Sequence, residues 1–163
     1  MTRSPEVNRD LLLKIELRSD PKVLYIVRGA VERLAETVGF AAEECRSVVR
    51  AVDEALTNVI RHCYCGRLDQ PIELYFRRLG LQSKAGRKQG LEILLCDHGP
   101  AVDQAKLRAK QPNELRPGGL GLHFIHEAMD GVDYKRVGRT NRLRLVKYLP
   151  SEKNSSRSVR SEP

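Results

Sequence analysis

Between Asp20 and Gly66 the apolar residues of this chain recur every three to four positions, and from Pro71 to Phe76 they recur every two. A helix buries one stripe at the first period and a strand buries one face at the second. The change near residue 70 therefore predicts a helical section followed by a pleated one. Ahead of both, Leu13, Ile15 and Leu17 alternate with polar neighbours, as in a strand with a single buried face.

Asp20 followed by Pro21 has the form of a helix start, with a capping side chain and a preset first turn. The stripe Val23, Ile26, Val27, Ala30, Val31, Leu34 and Val38 then runs to Gly39. A second helix is predicted from residue 41 to about 64, with Cys45, Val48, Val49, Val52, Leu56, Val59 and Ile60 inward and Gly66 as the stop. Ile72, Leu74 and Phe76 mark a strand, 82–90 reads as a basic, glycine-containing, hairpin-like loop, and 91–96 is a more continuous apolar run suited to a central strand. A polar connector over 101–119 leads to a short helix over 120–129, and strands are predicted over 132–137 and 143–149.

This order places strands in hairpins rather than singly between helices. It predicts an α+β fold, a two-layer α/β sandwich with helices on one face of a mixed, mainly antiparallel sheet. A doubly wound nucleotide fold is disfavoured, because neither Gly-x-Gly-x-x-Gly after the first strand nor a Gly-Lys-Ser/Thr loop occurs. A single domain is expected over 10–149, with a polar, disordered N-terminus over 1–9 and a Ser-rich, charged, disordered tail over 150–163.

The net charge of +8 raises nucleic acid as a partner. The excess is local, in one stretch from Arg77 to Lys88 and another from Lys135 to Lys147. Aromatic residues make up 5% of the chain and Trp is absent, which makes stacking platforms for single strands hard to build. No helix-turn-helix signature appears, so nucleic acid is not the expected partner. No apolar run reaches the roughly 18 residues of a membrane span, and the start of the chain has no secretory apolar stretch. Cys45, Cys63, Cys65 and Cys96 form no disulfide or zinc spacing, which points to a reducing cytoplasm. The four histidines form no metal-binding set, since His123 and His126 lack the His-Glu-x-x-His arrangement.

Three short motifs carry chemistry. Glu54 and Asn58 lie one helical turn and about 40° apart on the face opposite the apolar stripe, shared with Arg50 and Arg61. Such a pair is either a solvated face or a proton acceptor beside a hard-cation ligand. Asp97 ends an apolar strand and precedes Gly99, a turn signal that also suits an acceptor for an exocyclic amine beside an open backbone. Gly118, Gly119, Leu120, Gly121 and Leu122 open a helix, where bare N–H groups and the positive dipole end favour an anion.

Taken in order, these motifs resemble the ATP-binding domain shared by histidine kinases, gyrase B and MutL, the Bergerat-type fold. Within it, the run from Asp53 to His62, the run from Gly118 to Tyr134 and the ending from Asn141 to Leu149 resemble the small bacterial anti-sigma-factor serine kinases. The resemblance covers about residues 10 to 149 and implies ATP and Mg²⁺ as cofactors. It implies Glu54 as general base toward a serine hydroxyl, Asn58 as the Mg²⁺ ligand, Asp97 as acceptor of the adenine amine and Gly99 as the floor of the base pocket. Gly118, Gly119, Leu120, Gly121 and Leu122 would wrap the phosphates, and Thr140 would lie near the adenine. The implied partners are an anti-sigma-factor antagonist as substrate, a sigma factor, and a second copy in a homodimer. One place departs from the pattern: Ala101 stands where the family usually has a second glycine. That change keeps open the alternative of an inactive or weakly active ATP-binding adaptor that switches partners.

Overall fold

The computed structural model describes residues 10–83, 86–101 and 120–150, with the side chains of 81–83, 86, 87 and 120 left aside. The expected disordered ends, apart from Pro150, and the connector that carries Gly118 and Gly119 lie outside the described residues. The elements follow the predicted order: β1 (Leu11–Arg18), α1 (Leu24–Val38), α2 (Ala42–Asn58), β2 (Pro71–Ser83), β3 (Gly86–Asp97), α3 (Leu120–Ala128), β4 (Gly131–Val137) and β5 (Thr140–Tyr148).

The five strands form one sheet in the order β1-β2-β3-β5-β4, antiparallel at every pairing. Its inner face presents Ile72, Leu74 and Phe76 of β2, Leu91, Ile93 and Leu95 of β3, and Leu145 of β5, all at 2% exposure or less. Against them pack Val27, Val31 and Ala35 of α1, Val48, Val52 and Leu56 of α2, and Ile125 of α3. Each such aliphatic side chain removed from water contributes about 1.5–3 kcal/mol before conformational entropy is set against it.

Two sequence expectations shift. Asp20 does cap the helix start, accepting from the Lys22 N–H at 2.9 Å, but Pro21–Val23 forms a 3₁₀ turn before α1 begins. Within α1 the buried stripe is Leu24, Val27, Val31, Ala35 and Val38, three or four residues apart, which leaves Ile26, about 100° from Val27, 57% exposed. The hairpin expected around 82–90 is there, but most of that segment is ladder and not loop: β2 and β3 pair antiparallel from Ile72↔Asp97 out to Ser83↔Gly86. Gly90 sits inside β3, where an added Cβ would fall 2.2 Å from the Lys147 carbonyl oxygen. The glycine there permits a close approach of two strands, and local composition misread it as a turn.

Candidate functional site

The second helix does not stay regular to residue 64. After Asn58 it widens into a π-helical turn over Val59–Cys63, and the chain then reverses through Cys65 (φ 52°) and Gly66 (φ 77°). A π-turn inside a helix is rare and concentrates at functional sites. Here it brings Tyr64, only 1% exposed, across to the end of β3. The Tyr64 hydroxyl donates to the Pro71 carbonyl at 2.6 Å and accepts from the His98 N–H at 2.8 Å, tying the helix end to the Asp97-His98-Gly99 turn.

That turn is closed by Asp97, whose Oδ1 accepts from the Gly99 N–H at 2.8 Å. A Cβ on Gly99 would lie 2.7 Å from Cys63 Cβ and 3.0 Å from Asp97 Oδ1, so glycine is what lets the turn press against the helix end. Asp97 is 3% exposed. Burial pushes its carboxyl above the ordinary aspartate range, opposed by hydrogen bonds from Asn141 and Gly99 and by the nearby His98 and Arg136. Cys63, beside it, has its thiol pushed up to about 12 by burial, with Asp97 and Cys65 adding to the shift.

The strand beside β3 supplies the rest of this corner. Register places Asn141 opposite Asp97 and opposite Arg136, so the three residues span β3, β5 and β4 in a row. Asn141 Nδ2 donates to Asp97 Oδ1 at 2.8 Å and to the Pro100 carbonyl at 3.0 Å. Its Oδ1 accepts from Tyr134 Oη at 2.7 Å and from Arg136 at 2.5 Å. Thr140, singled out from the sequence, is one position away, with its hydroxyl 3.2 Å from His98 Nδ1. Neither Asn141 nor Tyr64 was legible as a site residue.

Glu54 and Asn58 form a second corner. Their face of α2 is not open to water as a solvated face would be: both are half-buried, and α3 packs along it. Arg50 stacks on the Phe124 ring with its guanidinium carbon 3.8 Å from the ring centre. A Cβ on Gly121 would come 2.6 Å from Glu54 Oε2 and 3.7 Å from Asn58 Nδ2, so the bare backbone at the start of α3 is what admits the carboxylate. Among the described residues neither Glu54 nor Asn58 has a hydrogen-bond partner, whereas the neighbouring Asp53 is held by Arg28 at 2.7 Å and 3.1 Å. Leu122 is half-buried on the same helix, packed against the core. Ala101 is exposed at the end of the Gly99 turn.

The residues present fit a magnesium nucleotide. A buried carboxylate beside a glycine-floored turn suits a base bearing an amine, and a carboxylate and an amide at a helix N-terminus suit phosphate and a hard cation. The five residues of the π-helical turn, Val59–Cys63, lie between Asn58 and the Tyr64 that joins the base corner.

The comparisons agree with this geometry. Residues 17–147 match the family described as the histidine kinase-like ATPase domain, and the chain belongs to that family. Among curated relatives it is similar to the serine-protein kinase RsbW of Bacillus cereus, 31% identical over 85% of this chain and 87% of that one. The protein of the same name from Bacillus pumilus is 28% identical over 87% of this chain and 88% of that one. Among solved structures it is similar in fold to one in the SiaB–SiaC complex of Pseudomonas aeruginosa, with a TM-score of 0.59 and 16% identity over 85% of this chain and 90% of that one. A structure of RsbU and RsbW domains from Mycobacterium tuberculosis gives a TM-score of 0.54 at 14% identity, covering 85% of this chain and 32% of that one. The resemblance read from three ordered motifs and the two-layer fold are both borne out. No helix among the described residues is long and apolar enough to cross a membrane.

Proposed function

We propose that this chain is an ATP- and Mg²⁺-dependent serine protein kinase and anti-sigma factor. It phosphorylates an anti-sigma-factor antagonist and holds a sigma factor in alternation with that antagonist, as a cytoplasmic homodimer. The reading is carried by the second corner: a carboxylate and an amide one turn apart, half-buried, facing the glycine start of α3 and without hydrogen-bond partners among the described residues. A scaffold that only exchanged partners would have no need to hold Glu54 and Asn58 in that arrangement.

In this reading Glu54 accepts the proton of the incoming serine hydroxyl, and Asn58 offers its amide oxygen to Mg²⁺. Asp97 accepts from the adenine amine, with Gly99 under the ring and Thr140 near it. Gly118, Gly119, Leu120, Gly121 and Leu122 enclose the phosphates through backbone N–H groups. Magnesium supplies neutralisation of the phosphate charge that develops during transfer. The names of the relatives support the kinase assignment.

Thermal unfolding with ATP, with and without Mg²⁺, tests the site. At 100 times the dissociation constant the native state gains roughly 2.7 kcal/mol, and this gain is expected to need Mg²⁺ and to vanish in Asn58→Ala. No stabilisation of the parent protein at millimolar Mg-ATP sinks the reading.

A further inference from the structure

The proposal concerns what holds Asp97, and it rests on the nucleotide reading above. Asp97 has two oxygens, and the donors are divided unequally between them. Oδ1 accepts from both the Gly99 N–H and Asn141 Nδ2, at 2.8 Å each. No described residue donates to Oδ2, and Oδ2 is not a sealed, unsatisfied atom of the kind that Arg77 Nε is. The oxygen left to meet a ligand is therefore Oδ2.

Asn141 itself has a single sensible orientation. Its Oδ1 faces two donors, Tyr134 Oη and the Arg136 guanidinium, while its Nδ2 faces three acceptors, Asp97 Oδ1 and the carbonyls of Gly99 and Pro100. Reversing the amide would set an NH₂ against an arginine, which can only donate, and an oxygen against a carboxylate and two carbonyls. At 1% exposure no water is available to repair that reversal. The neighbours thus decide which end of the amide Asp97 meets, and the amide decides which carboxylate oxygen is occupied.

We propose that Asn141 is the positioning residue for base selection: clamped by Arg136 and Tyr134, it occupies Asp97 Oδ1 so that Oδ2 alone addresses the base. A carboxylate oxygen accepts and cannot donate while ionised, so it selects a purine with an amino group at C6 over one with a carbonyl there. Without the clamp the carboxylate is free to turn, and the preference falls because the acceptor is no longer fixed. Asn141 does not touch the base. It acts through Asp97, and Arg136 acts through Asn141.

Isothermal titration with Mg-ATP and Mg-ITP (the same nucleotide with the C6 amine replaced by carbonyl) separates positioning from a merely structural role. In Asn141→Leu the affinity for ATP is expected to fall about ten- to hundred-fold, the range for one lost buried hydrogen-bond partner, with that for ITP unchanged. Arg136→Met, at a residue exposed overall, is expected to show the same selective loss in smaller degree. In an Asp97→Asn background, Asn141→Leu is expected to add no further loss, since it acts through the carboxylate. If Asn141→Leu unfolds, the ATP-to-ITP ratio of Arg136→Met decides. An unchanged ratio in folded variants, or an equal loss toward both nucleotides, overturns the proposal and leaves the nucleotide site standing. Failure of the parent protein to bind Mg-ATP at all removes both.

Discussion

The two corners of the site are built on opposite terms. At the base corner the described polar groups are engaged except Asp97 Oδ2: Asp97 Oδ1 by two donors, Asn141 by five contacts, Tyr64 Oη by two. At the phosphate corner Glu54 and Asn58 lie against Gly121 with no hydrogen-bond partner among the described residues. Recognition of a flat base benefits from a fixed acceptor, because freezing it beforehand removes an ordering cost from binding. A proton acceptor and a cation ligand must instead keep their lone pairs for the reactants. In the proposed function the contrast separates the residues that would select the base, at the ends of β3 and β5, from those that would react, on α2.

The strongest test of that contrast is Glu54→Gln, which keeps shape and removes the proton acceptor. Transfer to a serine substrate is expected to drop about 10²- to 10⁴-fold, as for loss of a general base, with Mg-ATP affinity within a few-fold of the parent. Radiolabelled phosphate incorporation alongside titration checks both halves. A comparable loss of affinity would mean that Glu54 belongs to binding, and the division between corners would collapse.

Most of the fold was legible because it follows from local periods. The 3.6 and 2.0 repeats placed every helix and strand in order, and a shared turn of one helix put Glu54 beside Asn58. What escaped depends on register between distant strands. Asn141 meets Asp97 across 44 residues of sequence, through a β3–β5 pairing that no local pattern specifies. Tyr64 reads only as about the end of the second helix, and its hydroxyl acquires a role only after the π-helical turn carries it to His98. The polar face of α2 reads equally as a solvated face, because nothing in its own residues announces α3. The ladder through Gly90 was missed for the opposite reason, since glycine and basic residues lower strand propensity while pairing with β2 and β5 overrides it.

Asp97→Asn tests the base corner from the side of stability. The carboxyl of Asp97 is raised by burial, so the native state binds a proton more readily than the unfolded chain does. Stability therefore falls as pH rises from the ordinary aspartate range through the raised native value, and at neutral pH the ionised group is a net cost. Asn141 and Gly99 offset part of that cost. Replacing the charge with a neutral amide is expected to stabilise the protein by about 0.5–2 kcal/mol at pH 7 while removing ATP selectivity, a trade common at functional sites. The gain should shrink as pH is lowered through that window, where the parent's Asp97 also becomes neutral. Urea unfolding at several pH values reads this directly. A destabilised variant at pH 7 would mean that the hydrogen bonds outweigh burial and that Asp97 is held for structure.

The smallest effect sharpens the comparison most narrowly. Cys65 is exposed and adopts φ 52°, in the left-handed region where a Cβ is crowded by the following carbonyl. It sits just past the π-helical turn, and Gly66 after it is left-handed as well, so the reversal rests on two such residues of which only one is glycine. Cys65→Gly relieves the crowding but gives the unfolded chain more freedom, and the two effects oppose each other. The left-handed penalty of about 1–2 kcal/mol for a residue with a Cβ exceeds the entropy term of about 0.4–1 kcal/mol, so a net stabilisation of a few tenths to about 1 kcal/mol is expected. ATP affinity should not change, because Tyr64 and Cys63 are held by His98, Pro71 and the Gly99 turn and not by the conformation of residue 65. A variant whose affinity moves with its melting temperature would show that the base corner borrows its order from the reversal, and that its dense hydrogen bonding is a consequence of that order.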